Sequence, residues 1–335
     1  MPGYIQFIRG QFTEPPVPSF DLSGRTIIVT GANSGLGLEA AKLLIQLNCS
    51  TVILACRSIA KGEQAKETLG SVKSKNGQKP SIVVMELDMC SFPSIIAFSE
   101  RCKDLPRIDA VLLNAGIVQK EFNVIQGYEL TLLVNVVSTF FLAVLLTPIL
   151  QESARKYNIT PNIAITGSAV HFWAKEKDVT GPPDGKIFST LSADKHTDMN
   201  LRYNLSKLHV MLLVKYLAQV FETLAQKDSI GKPLVVINHA APGLCWTPFF
   251  REQGAVARQI LKLVARSGEH GARTLVYGAG AGKETHGQYL SECQIKPASD
   301  FVQSAEGDRQ AKRLWKELSG VYESLKPGCT AGLQV

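Results

Sequence analysis

Short apolar runs recur along the chain, and each ends in glycine or in polar residues. The run at 26–29 leads into a glycine-rich turn and then into residues 38–47, where apolar side chains recur with helical spacing. The run at 52–56 contains β-branched residues and predicts a second strand. Further runs of this kind span residues 81–87, 110–113, 162–166 and 234–238. Strands that alternate with helices predict an α/β fold, a single doubly wound domain in which helices flank a central parallel sheet.

The residues after each strand indicate where a ligand would bind. In an open parallel sheet, ligands lie beyond the carboxyl ends of the strands, so these residues should converge on one crevice. They comprise Asp88, Asn114-Ala115-Gly116, Gly167-Ser168 and Pro242-Gly243.

The turn after the first strand reads Thr30-Gly31-Ala32-Asn33-Ser34-Gly35-Leu36-Gly37. A helix that begins here presents free backbone N–H groups and its positive dipole end, which suit the pyrophosphate of a dinucleotide. We expect Gly31 to permit the turn, Gly35 to admit phosphate close to the backbone, and Gly37 to let the helix pack closely on the sheet. The spacing differs from G-x-G-x-x-G, and a merely flexible turn is the alternative.

The end of the second strand carries Cys56-Arg57-Ser58, where an NAD site would usually carry Asp or Glu. Arg57 can pair with a 2′-phosphate and Ser58 can donate a hydrogen bond to it, so this position favours NADP. The alternative is that Arg57 is an ordinary solvated arginine.

Composition is consistent with one enlarged domain without a linker. Of the 335 residues, 45% are hydrophobic and 19% charged, which supports a sizeable core. The net charge of +7 has no dense Lys/Arg block, so we expect no nucleic-acid partner. The seven cysteines show neither metal-ligand spacing nor a disulfide framework, which predicts no metal site and a reducing, cytoplasmic location.

The chain divides into an N-terminal arm at 1–20, expected to be extended, a domain at 21–295, and a C-terminal helical extension at 296–335. Residues 130–150 are long and apolar enough to suggest a membrane span. Polar residues and Pro148 interrupt them, and such a helix can equally pack between a sheet and a second subunit. We expect no membrane anchor.

Tyr203 and Lys207 begin another helical pattern, and their spacing of four places them on one face. An ammonium near a phenol favours the phenolate, so we expect Lys207 to lower the pKa of Tyr203 and make it a proton donor or acceptor. The hydroxyl of Ser168, at a strand end, can hold a substrate oxygen. By itself, the Tyr203–Lys207 pair is also compatible with a surface pair.

Together these motifs resemble the classical short-chain dehydrogenase/reductase family, most closely its branch of retinol dehydrogenases and their fungal relatives. The family motifs are Thr30-Gly31-x-x-x-Gly35-x-Gly37, Asp88, Asn114-Ala115-Gly116, Asn135, Ser168, Tyr203-x-x-x-Lys207 and Pro242-Gly243, and the segments that resemble the branch are residues 53–58, 127–131, 274–277 and 287–291. The match runs in order from about residue 22 to 293, and it implies a Rossmann-type fold.

The resemblance also implies a role for each residue of the catalytic set. Tyr203 exchanges a proton with the substrate oxygen, Lys207 binds the nicotinamide ribose and tunes Tyr203, and Ser168 orients the carbonyl. Asn135 holds a water in a proton relay, and a buried asparagine satisfied by neighbouring backbone is the alternative.

The resemblance further implies that Asp88 contacts the adenine and that the turn at 114–116 lines the cofactor. Pro242, Gly243 and Thr247 close over the nicotinamide end, and Met89 is a further cofactor contact. For Asp88 and Thr247 the structural alternatives are a strand-end cap and a turn hydroxyl.

Two features depart from the family pattern. Ser168 and Tyr203 are 35 positions apart, and the polar insertion at 172–200 is expected to form part of the substrate rim or, alternatively, to be a disordered loop. The N-terminal membrane anchor of many animal retinol dehydrogenases is missing, which argues against a membrane retinoid role.

The expected function is NADP(H)-dependent hydride transfer to or from a hydrophobic carbonyl or alcohol, as a ketone reductase of secondary-metabolite biosynthesis. The alternatives are an enone or imine reductase or a cyclase on the same fold, or a non-catalytic NADP-binding protein. Family analogy suggests a homodimer or homotetramer. The candidate substrate wall is apolar and aromatic and comprises Val118, Val170, His171, Phe172, Trp173, Trp246, Phe249 and Phe250.

Overall fold

An eight-stranded sheet lies at the centre of the computed structural model, which describes residues 2–227, 234–247 and 264–334. Its strands run in the spatial order β3-β2-β1-β4-β7-β8-β9-β10, and all neighbours pair in parallel except β9 and β10. A separate hairpin consists of β5 and β6. The strands are β1 Thr26–Thr30, β2 Thr51–Cys56, β3 Ser81–Glu86, β4 Ala110–Leu113, β5 Val124–Ile125, β6 Tyr128–Glu129, β7 Asn162–Thr166, β8 Val236–Ala241, β9 Tyr289–Ser291 and β10 Gln294–Lys296.

Helices cover both faces of the sheet, which confirms the predicted doubly wound α/β architecture. One hydrophobic cluster lies under α2 and α10, and a larger one lies under α4, α6, α9 and α12. The helices are α1 Pro2–Gln11, α2 Gly35–Gln46, α3 Ile59–Leu69, α4 Phe92–Cys102, α5 Leu130–Leu132, α6 Thr139–Tyr157, α7 Glu176–Thr180, α8 Ile187–Ala193, α9 Met199–Lys227, α10 Gly268–Gly280, α11 Asp300–Gln303 and α12 Ala305–Leu325; a π-helical turn, Leu133–Ser138, joins α5 to α6.

The strand order changes direction at β1, since β2 and β3 lie on one side of it and β4 lies on the other. At such a switch point the loops after neighbouring strands leave in opposite directions and open a crevice. The glycine turn after β1 and the turn at 114–116 after β4 therefore lie side by side, as the strand-end residues predicted.

The N-terminal segment differs from the extended arm that was predicted. Residues 2–11 form helix α1, and only the residues between it and β1 lack regular structure. The C-terminal end of α1 is fastened by side chains that lie far away in the sequence, chiefly Arg266, whose guanidinium donates to the carbonyl groups of Gly10 and Thr13. A local pattern could not reveal these contacts.

The apolar stretch that begins at Leu130 is a core helix. Two helical spans, Leu130–Tyr157 and Met199–Lys227, are long and apolar enough to cross a membrane, but 94% and 67% of their most apolar windows are buried inside the protein. The C-terminal helix α12 supplies part of this cover, and its Tyr322 hydroxyl donates to the carbonyl of Val137 at 2.9 Å. This apolar stretch therefore provides no reason for a subunit interface, and the homodimer or homotetramer stays a prediction.

The insertion at 172–200 is ordered and packs against the C-terminal helix. It contains α7 and α8, and Ile187, Phe188 and Leu191 are buried in the larger hydrophobic cluster. The carboxylate of Glu317 on α12 accepts hydrogen bonds from the backbone N–H groups of Ile187 and Phe188 at 2.7 and 2.9 Å. A carboxylate suits the positive end of a helix dipole, so α12 fixes the start of α8.

Because α12 contributes to the core, we expect Leu318→Ala to lower the free energy of unfolding by about 2–5 kcal/mol, the usual cost of truncating a buried leucine. Leu318 is fully buried. Denaturant unfolding followed by circular dichroism measures the change. Lys316→Ala, at an exposed position on the same helix, is the control and should stay within about 0.5 kcal/mol of the wild type. Equal effects of the two substitutions would contradict this role of α12.

Candidate active site

The glycine turn adopts a conformation that only glycine accommodates easily. Gly31 and Gly35 have φ values of +66° and +56°, in the left-handed region. A Cβ on Gly37 would lie 2.4 Å from the carbonyl oxygen of Gly31 and 2.7 Å from Nδ2 of Asn114. The first turn of α2 is thus in close contact with the strand ends, which agrees with the turn expected at Gly31 and the close packing expected at Gly37; the approach of phosphate at Gly35 stays a prediction.

A small hydrogen-bond network joins the ends of β1, β4 and β7. The Thr30 hydroxyl accepts from the backbone N–H groups of Asn114 and Ala115, both at 2.9 Å. Nδ2 of Asn114 donates to the Thr30 carbonyl at 3.0 Å, and its Oδ1 accepts from the Thr166 hydroxyl at 3.5 Å. Asn114 thereby holds the glycine turn against the strand end that leads to Ser168. Thr30 was part of the predicted motif, but its role in this network was missed, as was Thr166.

The end of β8 reaches the same crevice. Gly271, in α10, comes so close that a Cβ there would lie 2.8 Å from Leu36 and 3.2 Å from Pro242. Gly243 follows with a φ of +77°. Thr247 lies on the same side, since a Cβ on Gly268 would be 3.8 Å from it. The structure therefore brings these predicted cofactor residues beside the start of α2.

Arg57, Ser58, Asp88 and Met89 lie at the other end of the crevice, after β2 and β3. Arg57 is exposed, and its positive charge lowers the pKa of the nearby Cys90 thiol, although burial raises that pKa more strongly. Ser58 caps α3 by accepting from the backbone of Lys61 at 3.4 Å.

Asp88 behaves as the strand-end cap that was its structural alternative. Its Oδ1 accepts from the backbone N–H of Cys90 at 2.9 Å, and Met89 beside it is buried.

Ser168 and Tyr203 meet across the carboxyl edge of the sheet. Burial raises the pKa of Tyr203 above its usual value, and a hydrogen bond between the Ser168 hydroxyl and the phenol lowers it by less. Lys207 does not lower it as expected, although its Nζ lies 5.7 Å from the centre of the phenol ring. In this polypeptide Tyr203 therefore holds its proton at neutral pH.

Lys207 is 6% exposed, and its Nζ donates to the carbonyl of Thr166 at 2.9 Å. Burial lowers the pKa of Lys207 to about 8, because its surroundings disfavour the ammonium. Gly116 faces it closely: a Cβ there would lie 3.9 Å from Nζ and 3.2 Å from Oδ1 of Asn135. The turn at 114–116 and the catalytic candidates thus form one continuous surface.

Asn135 lies in the π-helical turn with its side chain already engaged. Its Oδ1 accepts from the backbone N–H of Ile117 at 2.9 Å, and its Nδ2 donates to the Ile117 carbonyl at 2.9 Å and to Ser206 at 3.1 Å. These contacts are those of the satisfied, buried asparagine that was the structural alternative, and the water relay stays a prediction. Asn135 holds the chain after the 114–116 turn in place, and π-helical turns are frequent at functional sites.

His171, expected in the substrate wall, is instead a core residue that supports Ser168. It is 2% exposed, and burial lowers its pKa to about 4, so the ring is neutral. Its Nε2 accepts from the backbone N–H of Ser299 at 3.3 Å, which leaves Nδ1 to donate to the Ser168 carbonyl at 2.8 Å. A Cβ on Gly167 would overlap the ring of His239, a close fit that no sequence pattern signals.

The other predicted wall residues lie near the catalytic candidates to differing degrees. Val118, Val170, Phe172, Trp173 and Trp246 are half-buried. Phe172 lines a narrow cavity next to Ala169, directly after Ser168. Phe249 and Phe250 lie outside the described residues.

The glycine turn fits a dinucleotide. Ser34 occupies the N-cap position of α2, yet its side chain makes no capping hydrogen bond. The N–H groups of the first helical turn, which have no partner within the helix, are therefore available to a phosphate. Within the described ranges, no group of three or more His, Cys, Asp or Glu side chains is arranged to hold a metal ion.

Comparison with known proteins extends this picture to most of the chain. A profile of the family described as short chain dehydrogenase matches residues 25–169. The short chain dehydrogenase/reductase dmxR8 of Cryptosporiopsis sp. (strain 8999) is 36% identical over 326 residues, which cover 96% of this chain and 97% of dmxR8. The short-chain dehydrogenase anuD of Penicillium roqueforti (strain FM164) is 37% identical over 331 residues, covering 97% and 84% of the two chains.

Solved structures have the same fold as this chain. The RhlG/NADP active-site complex of Pseudomonas aeruginosa superimposes with a TM-score of 0.59 at 19% identity, covering 82% of this chain and 96% of that one. At this identity the likeness concerns the fold alone. Since the fungal relatives match along nearly the whole chain and not only over the strand–turn–helix unit, the protein belongs, as the sequence motifs predicted, to the short-chain dehydrogenase/reductase family of oxidoreductases, which use a nicotinamide cofactor.

Proposed function

We propose that this protein is an NADP(H)-dependent reductase of hydrophobic ketones. The observation that carries the proposal is the contact between Ser168 and a protonated Tyr203, with Lys207 beside them, at the strand edge that also holds the glycine turn. The half-buried aromatic residues after β7, Phe172 and Trp173, suit an apolar substrate. The NADP-binding protein without chemistry is disfavoured because the whole proton-transfer set is present.

The nicotinamide cofactor, when bound, supplies or accepts the hydride. The N–H groups at the start of α2 would hold its pyrophosphate, and Arg57 its 2′-phosphate. Arg57 supports NADP over NAD because it is exposed at the position where an NAD site usually carries Asp or Glu. Within the described residues its guanidinium forms no hydrogen bond or ion pair. RhlG, which has the same fold, was solved with NADP.

Ser168 and Tyr203 divide the work at the substrate oxygen. In reduction, that oxygen gains negative charge, and two O–H donors directed at it stabilise the charge. Tyr203 then gives up its proton to complete the alcohol. The raised pKa of Tyr203 supports this direction, since a proton donor must still be protonated at working pH. The ammonium of Lys207 would hold the nicotinamide ribose when the cofactor is bound, which is the role that the family resemblance implies.

The setting of the reaction is also a proposal. The relatives dmxR8 and anuD are fungal, and an apolar, aromatic wall suits the flat ketones of secondary metabolism. We propose that the protein is cytoplasmic. All seven of its cysteines are free, which is typical of proteins in a reducing compartment.

Loss of the phenol hydroxyl tests the proton transfer. We expect Tyr203→Phe to lower kcat/KM for ketone reduction by about 100-fold or more, the usual size of a general-acid contribution, with NADPH binding within about twofold of the wild type. Absorbance of NADPH during turnover with a panel of aryl ketones measures the first quantity, and fluorescence titration the second. Tyr216→Phe, on the same helix, is the matched control and should be as active as the wild type. Undiminished turnover by Tyr203→Phe would refute the mechanism.

Cofactor choice is tested by reversing the charge after β2. Arg57→Asp should raise the Kd of NADPH about 10- to 100-fold, because a charge-assisted hydrogen bond is lost and a carboxylate faces the phosphate, while the Kd of NADH changes little. Lys312→Asp, an equal charge change at an exposed site on α12, is the control. The argument from Arg57 fails if NADPH preference survives the substitution.

The pH dependence follows from Lys207. Its ammonium is present below a pKa of about 8 and is lost above it, so kcat/KM should fall on the alkaline side with an apparent pKa near that value. Arginine stays charged throughout this range, so Lys207→Arg should remove the alkaline decline even if its maximal activity is lower. Lys215→Arg on the same helix is the control. A pH–rate profile whose alkaline limb is identical in Lys207→Arg and the wild type would assign the decline to another group.

A further inference from the structure

Helix α1 lies against the residues that follow Ser168. The ring of Phe7 meets the indole of Trp173 edge to face, with centroids 5.2 Å apart. Trp173 ends the 3-10 turn that starts at Ala169, one residue after Ser168. A narrow cavity opens between these elements, and its lining includes Phe7 and Gln11 from α1 together with Ala169, Phe172 and Gly243. Two side chains of α1 thus face a space that Ala169, the residue directly after Ser168, also lines.

Gln11 joins α1 to the chain that leaves β8. Its Nε2 donates to the carbonyl groups of Leu244 and Val264 at 2.8 and 2.9 Å, and its Oε1 accepts from the backbone N–H of Leu244 at 2.9 Å. Leu244 follows Gly243 and Val264 lies two residues before Arg266, so this single amide links α1 to both of these backbone positions. Gln11 is 8% exposed, and its hydrogen bonds are therefore shielded from water.

Arg266 also connects α1 to the chain that follows β8. Its guanidinium donates to the carbonyl groups of Gly10, Gln11 and Thr13, at and just after the end of α1, and it forms an ion pair with Glu292 at 3.0 Å. The backbone of Arg266 pairs with Leu244 and Trp246, both at 2.8 Å. One buried arginine therefore connects α1 to the base of the segment that follows Gly243.

Helix α1 packs closely against Glu292, Arg266 and Gly243. A Cβ on Gly10 would lie 2.9 Å from the Glu292 carboxylate, and one on Gly243 would lie 2.7 Å from Nη1 of Arg266 and 3.2 Å from Oε1 of Gln11. In contrast, the next side chain along, Phe12, is 74% exposed. The inward face of α1 is built into the site, whereas its outward neighbour is not.

We propose that α1 is part of the substrate site: Phe7 is a specificity-determining wall residue for the ketone, and Gln11 is a positioning residue that sets the backbone at Gly243 and Leu244. This inference rests on the proposed ketone reduction. Because Phe7 contacts Trp173, on the side of Ser168 away from the Arg57 end of the crevice, its loss should affect ketone binding and leave NADPH binding intact.

The test uses the full-length protein with two aryl ketones of different size, acetophenone and 2-acetonaphthone. Phe7→Ala enlarges the wall, so the ratio of kcat/KM for the larger to the smaller ketone should rise about tenfold, while the Kd of NADPH stays within about twofold. Gln11→Met keeps the length of the side chain but removes its donors and acceptor. It should raise KM for both ketones by about five- to tenfold with a smaller change in kcat. Phe12→Ala is the matched control and should leave all these values unchanged.

Each possible result is decisive. If the wild type is active and both variants behave like Phe12→Ala, α1 has no part in the substrate site. Parallel losses of ketone turnover and NADPH binding would also overturn the proposal, because they would indicate a general structural effect. If the wild type binds NADPH and reduces neither ketone, the proposed ketone reduction itself fails, and the assignment of α1 to a ketone wall fails with it.

Discussion

The hydroxyl of Thr30 organises the edge of the sheet on which the rest of the site depends. It accepts hydrogen bonds from two successive N–H groups of the 114–116 turn, and Asn114 in turn reaches Thr166. Three neighbouring strands are thereby joined at their carboxyl ends by partly buried polar contacts. Ser168 follows Thr166 by two residues, and the carbonyl of Thr166 receives Lys207. The glycine turn and the candidates for proton transfer are therefore joined by one hydrogen-bond network.

The chemistry of that assembly is governed by burial. The same surroundings that raise the pKa of Tyr203 lower the pKa of Lys207, because both charged forms lose contact with water. The sequence argument considered only the attraction between the ammonium and the phenolate, and it predicted the opposite direction for Tyr203. Desolvation is the larger effect in this polypeptide. It keeps the proton on Tyr203, which suits a donor to a carbonyl oxygen.

Sequence reasoning located the strands well where they are fully buried. The boundaries of β4 and β7 agree with the apolar runs at 110–113 and 162–166, since a parallel strand covered on both faces reads as a continuous apolar stretch. The last run, 234–238, was displaced from β8, Val236–Ala241, because the strand continues through a buried histidine, His239. The helix at the N-terminus was missed entirely, since Arg266 holds its end from more than two hundred residues away.

The sequence alone determined the fold class, the family and the glycine turn, and it named the candidates for proton transfer, because each leaves a local signature in spacing or periodicity. Only the tertiary structure decided what those residues touch. It showed that Asn135 is engaged by Ile117, that His171 supports Ser168 from the core, and that the insertion is fastened by Glu317. These outcomes depend on contacts between segments that are distant in the chain and on how deeply each group is buried. A local sequence pattern predicts neither of these.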